Sequence, residues 1–168
     1  MKYYLLNWEE KGNPVPRIRN WMERLDYQAV QRRELAKLPE RTILFLEENS
    51  DTLFSDVIEK LFWDVSKMYE VPTRGKEMVL LDGMNGFAEI YYMPVYPRYR
   101  CLSEETVFNN DYSVIQELIL DKEKIKYVPP VFEVAEVEKD YLICRLHFIE
   151  SILRRGAKGI KLAELKVE

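Results

Sequence analysis

EMVLLDGMNGFAEIYYM, residues 77–93, is the stretch that decides the fold. Two apolar runs, Glu77 to Leu81 and Phe87 to Met93, flank Asp82-Gly83-Met84-Asn85-Gly86, a loop dense in residues that tolerate tight turns. That arrangement predicts a β-hairpin. On its C-terminal side, Pro94 and Pro97 bracket a segment unsuited to a central strand, because proline brings no N–H to the ladder. On its N-terminal side, Pro72 closes a helix predicted over Ser55 to Tyr69, where Val57, Ile58, Leu61, Phe62, Val65 and Met68 recur at helical spacing. The same spacing allows a break near Trp63.

Farther out the elements are short. Lys2 to Trp8 reads as an opening strand, followed by a loop forced by Gly12, Pro14 and Pro16. Trp21, Leu25 and Ala29 stand four apart and predict a helix from Trp21 to Leu38, stopped by Pro39. Thr42 to Leu46 is an apolar run of strand length. Ser113 to Leu120 has two readings: a helix with Ser113 and Gln116 as its capping box, or a strand ending at Asp121. Val131 to Val137 alternates as a half-buried strand does, and Tyr141 to Leu146 is a further strand candidate. Phe148, Ile149, Ile152 and Leu153 predict a short amphipathic helix with Gly156 just past its end, and Ile160 to Val167 a last strand. The expected class is α+β: a mostly antiparallel sheet with a few short helices.

The chain has 168 residues, of which 47% are hydrophobic and 32% charged. This predicts one soluble domain over residues 1–168, large enough to fold without disulfides or metal. Lys plus Arg is 25 against 29 Asp plus Glu, a net charge of −4, and residues 1–84 and 85–168 share it equally. A general nucleic-acid binder carries a basic excess, so no nucleic-acid partner is expected. The opening MKYYLLNWEE has too short an apolar run for a signal peptide, and no stretch approaches the roughly 20 apolar residues of a membrane span. A cytoplasmic protein without a membrane partner is expected.

The motifs of catalysis and cofactor binding are missing from the sequence. Cys101 and Cys144 are 43 positions apart and stand in apolar surroundings, which favours buried, reduced packing residues over a pair. The one histidine, His147, follows Cys144 by three positions, but no Gly-x-Ser-x-Gly elbow accompanies it, and it lacks the spaced partners of a metal site. Neither GxGxxG nor GxxxxGK[ST] occurs. No catalytic residue, metal or cofactor is therefore assigned.

Three groups of side chains suit binding. The segment YYMPVYPRYR, residues 91–100, concentrates the residue types that dominate interface energetics, and Tyr92, Tyr96, Arg98, Tyr99 and Arg100 are the expected anchors. Glu133, Glu136 and Glu138 form an acidic run suited to steering a basic partner, or simply a solvated face. Arg154, Arg155 and Lys158 form the basic cluster, either complementing a helix C-terminus or holding an anion.

The series LDGMNGFAEIYYMPV (81–95), CLSEETVFN (101–109) and ESILRRGAKGIKLAEL (150–165) resembles immunity protein family eleven of bacterial polymorphic toxin systems, formerly a domain of unknown function. Leu153 to Gly159 is its best marker, and the resemblance runs from about Thr42 onward together with the opening strand. It implies a cytosolic α+β protein, encoded beside a toxin, that neutralises the toxin by binding it and has no active site of its own. The expected partner is thus a cognate toxin protein, with the oligomeric state open. Two other functions suit the composition: a hydrolase with a carboxylate site that no motif reveals, and a sensor of phosphorylated ligands using Arg154, Arg155 and Lys158.

Overall fold

A computed structural model describes residues 1–8, 26–45, 58–82, 86–157 and 159–168. In chain order the elements are β1 (Tyr3–Trp8), α1 (Tyr27–Gln31), a 3₁₀ turn (Leu35–Lys37), β2 (Arg41–Phe45), β3 (Ile58–Glu59), α2 (Lys60–Met68), β4 (Arg74–Asp82) and β5 (Phe87–Val95). The second half adds β6 (Arg98–Tyr99), β7 (Val107–Phe108), β8 (Ile115–Glu117), β9 (Ile119–Leu120), β10 (Val131–Val134), β11 (Leu142–Arg145), α3 (Leu146–Arg154), β12 (Ile160–Glu164) and β13 (Lys166–Val167). Most strand pairings are antiparallel and the helices are short, so the fold is α+β.

The chain divides into two compact units. One comprises Met1–Asn13, Val65–Pro72 and Tyr96–Glu168; the other comprises Pro14–Asp64 and Thr73–Val95. The second unit is built on the hairpin. β4 and β5 pair antiparallel with Val79 opposite Ile90, inside a sheet of order β2-β4-β5-β3. Alternation along β2 turns Thr42 and Leu44 inward and Ile43 and Phe45 outward. Leu44, Met78 and Leu80, all fully buried, pack with Met93 against Ala29 and Val30 of α1. Pro94 does sit in β5, which the sequence argued against. Among the described residues β3 pairs with β5 at Tyr91 and Tyr92, and Pro94 stands opposite Gly75 of β4.

Two predicted helices are shorter than expected. The Asp26 side chain accepts hydrogen bonds from the Gln28 and Ala29 N–H groups at 3.0 and 3.2 Å, so α1 begins after that cap. Arg33, at φ 54°, then turns the chain, and only the 3₁₀ turn follows. Trp21 and Leu25 lie outside the described residues. In the next helix, Lys60–Met68 runs unbroken through Trp63, while Ile58–Glu59 is a strand paired with β5. Residues 55–57 lie outside the described ones.

The first unit holds a five-stranded sheet of order β12-β1-β11-β10-β6, antiparallel except for the β6–β10 pair. Its core contains Phe132 and Ile143, both fully buried, with the Tyr3 ring edge-on to Phe132 at 6.5 Å. For Ser113 to Leu120 the strand reading holds: β8 pairs with β7, and β9 with β13. β10 ends at Val134, and all four of its residues are buried, so it is not the half-buried strand its alternation suggested. The amphipathic helix is α3, which buries Phe148, Ile149 and Ile152; Gly156 follows at φ 90°, where glycine carries no steric penalty.

Candidate functional site

The expected tyrosine anchors are largely structural. Tyr92, half-buried on β5, stacks flat on the Trp63 indole with centroids 4.6 Å apart and planes 2° from parallel. Tyr96 is only 3% exposed, its hydroxyl 3.5 Å from Ser66 Oγ. This corrects its placement among the anchors: an aromatic body enclosed in the core with a polar tip partnered there offers a partner nothing. Tyr99 is half-buried, edge-on to Phe132 at 6.0 Å. Arg98 donates from Nε and Nη2 to the Val134 carbonyl at 3.1 and 2.7 Å and from Nη2 to the Val137 carbonyl, so it clips the chain beyond β10. Arg100 is exposed.

The acidic run separates in the same way. Glu133 is 3% exposed on β10, which lies between β11 and β6, so it is enclosed instead of steering a partner. Glu136 Oε1 accepts hydrogen bonds from the Cys101 and Leu102 N–H groups at 2.8 and 3.0 Å, satisfying two amides of buried residues. Glu138 is exposed. In the basic cluster, Arg154 is exposed in the last turn of α3, while Arg155 donates from Nη1 to the Ser151 carbonyl and hydroxyl at 3.1 and 2.5 Å. Arg155 thus serves the end of its own helix. Lys158 lies outside the described residues.

Cys144 and His147 do not form a nucleophile–base pair. Cys144 is fully buried on β11, whereas His147 is exposed in the first turn of α3. Partial burial, with Arg145 adding to it, lowers the histidine's pKa, and Glu150 opposes them. Both cysteines are free. Burial pushes the Cys101 thiol from its ordinary 9.0 up to about 12, with Glu136 adding to the rise, and burial pushes Cys144 up as well. Neither thiol is therefore expected to react with a disulfide reagent in the native protein at pH 8, and both should react on unfolding. The sign of the linkage follows. Below pH 9 the two thiols do not disfavour folding; above it the unfolded chain releases their protons and the folded chain does not, so stability falls as pH rises. Rapid labelling of the native protein would contradict the burial. Among the described residues no three His, Cys, Asp or Glu side chains gather as metal ligands, and no helix is long and apolar enough to cross a membrane.

A further exposed and internally bonded surface, outside the residues expected from the sequence, is the β7–β8 hairpin. Tyr112 at its tip is 72% exposed, flanked by Val107 at 44% and Val114 at 37%. The tip is held from within. Asn109 donates its N–H to the Val114 carbonyl at 2.9 Å, its Oδ1 accepts from the Val114 N–H at 2.9 Å, and its carbonyl accepts from the Tyr112 N–H at 3.1 Å. Asp111 Oδ1 accepts from the Ser113 N–H and hydroxyl at 3.0 and 2.6 Å, and these bonds hold its carboxyl below the usual range. Tyr112 takes φ 58°, a conformation costing a non-glycine residue about 1–2 kcal/mol, and its ring lies 5.4 Å from Phe108.

Charge accompanies this aromatic tip. Between Cys101 and Asp121 there are five acids and no Lys or Arg. Glu117 pairs with Lys166 and Asp121 with Lys124, but among the described residues Glu104, Glu105 and Asp111 have no basic partner. The signal was present in the sequence: turn-forming Asn109-Asn110-Asp111 ahead of Tyr112, in a 21-residue window without one cation. No protein-family model matches the chain, and a search of curated proteins finds no match.

Proposed function

We propose that this protein is a non-enzymatic inhibitor that binds and neutralises a bacterial toxin domain in the cytoplasm, with the β7–β8 hairpin as its contact surface. The resemblance to the immunity family supplies the class of partner. The observation that carries the surface is Tyr112: a large aromatic, mostly exposed, held in a costly left-handed conformation by a closed hydrogen-bond network. A side chain kept rigid before contact loses little entropy on docking. Glu104, Glu105 and Asp111, in the same cation-free stretch of sequence, favour a partner face that is basic and speed its encounter.

Tyr112→Gly separates binding from folding. Glycine relieves the left-handed strain, so the melting temperature is expected to hold or rise, while toxin affinity falls by about 30-fold or more, as loss of an interface hot spot does. The measurement pairs thermal melts with affinity for the product of each neighbouring gene, scored by rescue of growth when the toxin is expressed. A variant that protects cells as well as the wild type would remove the hairpin from the interface. If no neighbouring product kills and is neutralised, the toxin reading itself fails.

A further inference from the structure

A second surface has the opposite charge. A cleft of about 420 Å³ is lined by Met1, Tyr3, Lys122, Ile125, Lys126 and Val167. Its volume lies within the roughly 300–1,000 Å³ of small-molecule sites. The wall is the turn that follows β9. Asp121 Oδ1 accepts from the Glu123 and Lys124 N–H groups at 2.9 and 3.1 Å, and the Lys122 N–H donates to the Glu168 carbonyl at 2.7 Å, tying the turn to the end of β13. Beneath it, the Tyr3 hydroxyl donates to the Ile125 carbonyl at 3.4 Å and accepts from Arg145 Nε at 3.1 Å.

The cations here differ in their commitments. Lys124 is used by the fold: it pairs with Asp121 at 3.4 Å and donates to the Leu102 carbonyl at 2.7 Å. Lys122 and Lys126 are exposed, and among the described residues no carboxylate pairs with either. Lys126 lies 5.5 Å from the ring of Tyr127, which is 87% exposed. Arg145 adds a third positive charge whose hydrogen-bond acceptors are all neutral: the Tyr3 hydroxyl and the Ile125 and Val128 carbonyls. Among the described residues that line the cleft, none carries a side-chain carboxylate.

We propose that this cleft binds a small amphipathic carboxylate, its anionic end between Lys122 and Lys126 and its apolar body against Tyr3, Ile125 and Val167. Two lysines provide point charges without the planar fork of a free arginine, and among the described residues the rest of the lining is Met1, Tyr3, Ile125 and Val167, largely apolar side chains. A bare phosphate leaves that apolar lining uncovered. The site stands independently of the toxin reading, since it uses none of the β7–β8 hairpin.

The test is titration of the intact protein with octanoate and phenylpropionate by calorimetry and amide-resonance NMR, with acetate, octanol and inorganic phosphate as comparison ligands. Saturable binding of the two acids is expected, with shifts centred on Tyr3, Ile125 and Val167. Acetate and octanol should each bind at least about tenfold more weakly, lacking the body or the charge. The double variant Lys122→Gln/Lys126→Gln replaces exposed side chains, so its circular dichroism should match wild type while octanoate affinity drops about tenfold. Equal affinity for octanol and octanoate, undiminished binding by the double variant, phosphate preferred to both acids, or no saturation at millimolar octanoate would each overturn the assignment.

Discussion

Arg145→Ala is expected to lower the stability of the five-stranded unit by about 3 kcal/mol, read as a fall in the denaturation midpoint with an unchanged slope. Arg145 ends β11, and its guanidinium reaches three oxygens: Tyr3 Oη at 3.1 Å, the Ile125 carbonyl at 3.3 Å and the Val128 carbonyl at 2.7 Å. It also lies 5.5 Å from the centroid of the Tyr3 ring. Ile125 and Val128 are 2% and 5% exposed, so the carbonyls lose a charged donor at places water reaches poorly. Alanine leaves Ile125 with the longer 3.4 Å bond from Tyr3 and takes the arginine from the Val128 carbonyl. Lysine keeps the charge but lacks the fork that serves several acceptors at once, so Arg145→Lys should recover only part of the loss. A stability within about 0.5 kcal/mol of wild type for Arg145→Ala would mean these bonds contribute nothing net.

The second large effect belongs to the other unit. Gly75→Val is expected to cost about 3 kcal/mol, the upper part of the usual range for overpacking. The reason is space. A Cβ at Gly75 would stand 2.7 Å from the Met93 carbonyl oxygen and 2.7 and 2.8 Å from Cζ3 and Cη2 of Trp63. The oxygen belongs to the β5 backbone and moves only if the β4–β5 ladder opens; the indole is held by its stack on Tyr92. Trimming the ring with Trp63→Leu removes one obstacle and leaves the other. Adding it to Gly75→Ala should therefore restore stability only in part, a coupling that a double-mutant cycle in chemical denaturation measures. Full additivity of the two substitutions would show that ring and glycine do not share this space.

Gly75 shows where legibility ends. A glycine inside a strand pattern signals a close approach by something, but the approaching groups are an indole 12 positions earlier and a carbonyl 18 positions later. Asp26 is the opposite case. Its cap is made with residues two and three places on, a local signal that marks the helix start independently of the four-residue spacing of Trp21, Leu25 and Ala29. The burial of Tyr96 and Glu133 has the same origin as the crowding at Gly75, in neighbours distant along the chain. Tyr96 and Arg100 stand four positions apart in one segment and are both residue types suited to interfaces, yet one is enclosed beside Ser66 and the other is exposed. Tyr112, exposed at the β7–β8 tip, is a single aromatic in a turn and less conspicuous in the sequence than four tyrosines together.

What the amino-acid order determined by itself is local and periodic. Turn chemistry over Asp82 to Gly86 and the apolar runs on either side of it specify the hairpin. Spacing specifies α3, and apolar neighbours specify the burial of both cysteines. Tertiary structure alone decided which charges are already committed. Arg145 with Tyr3, Glu136 with the amides of Cys101 and Leu102, and Lys124 with the Leu102 carbonyl are joined across 142, 35, 34 and 22 positions. Lys122 and Lys126, of the same residue type as Lys124, remain in solvent. The physical reason is that a charged side chain takes whichever oxygen or amide the folded backbone brings within about 3 Å, and that neighbour is set by packing, not by adjacent letters.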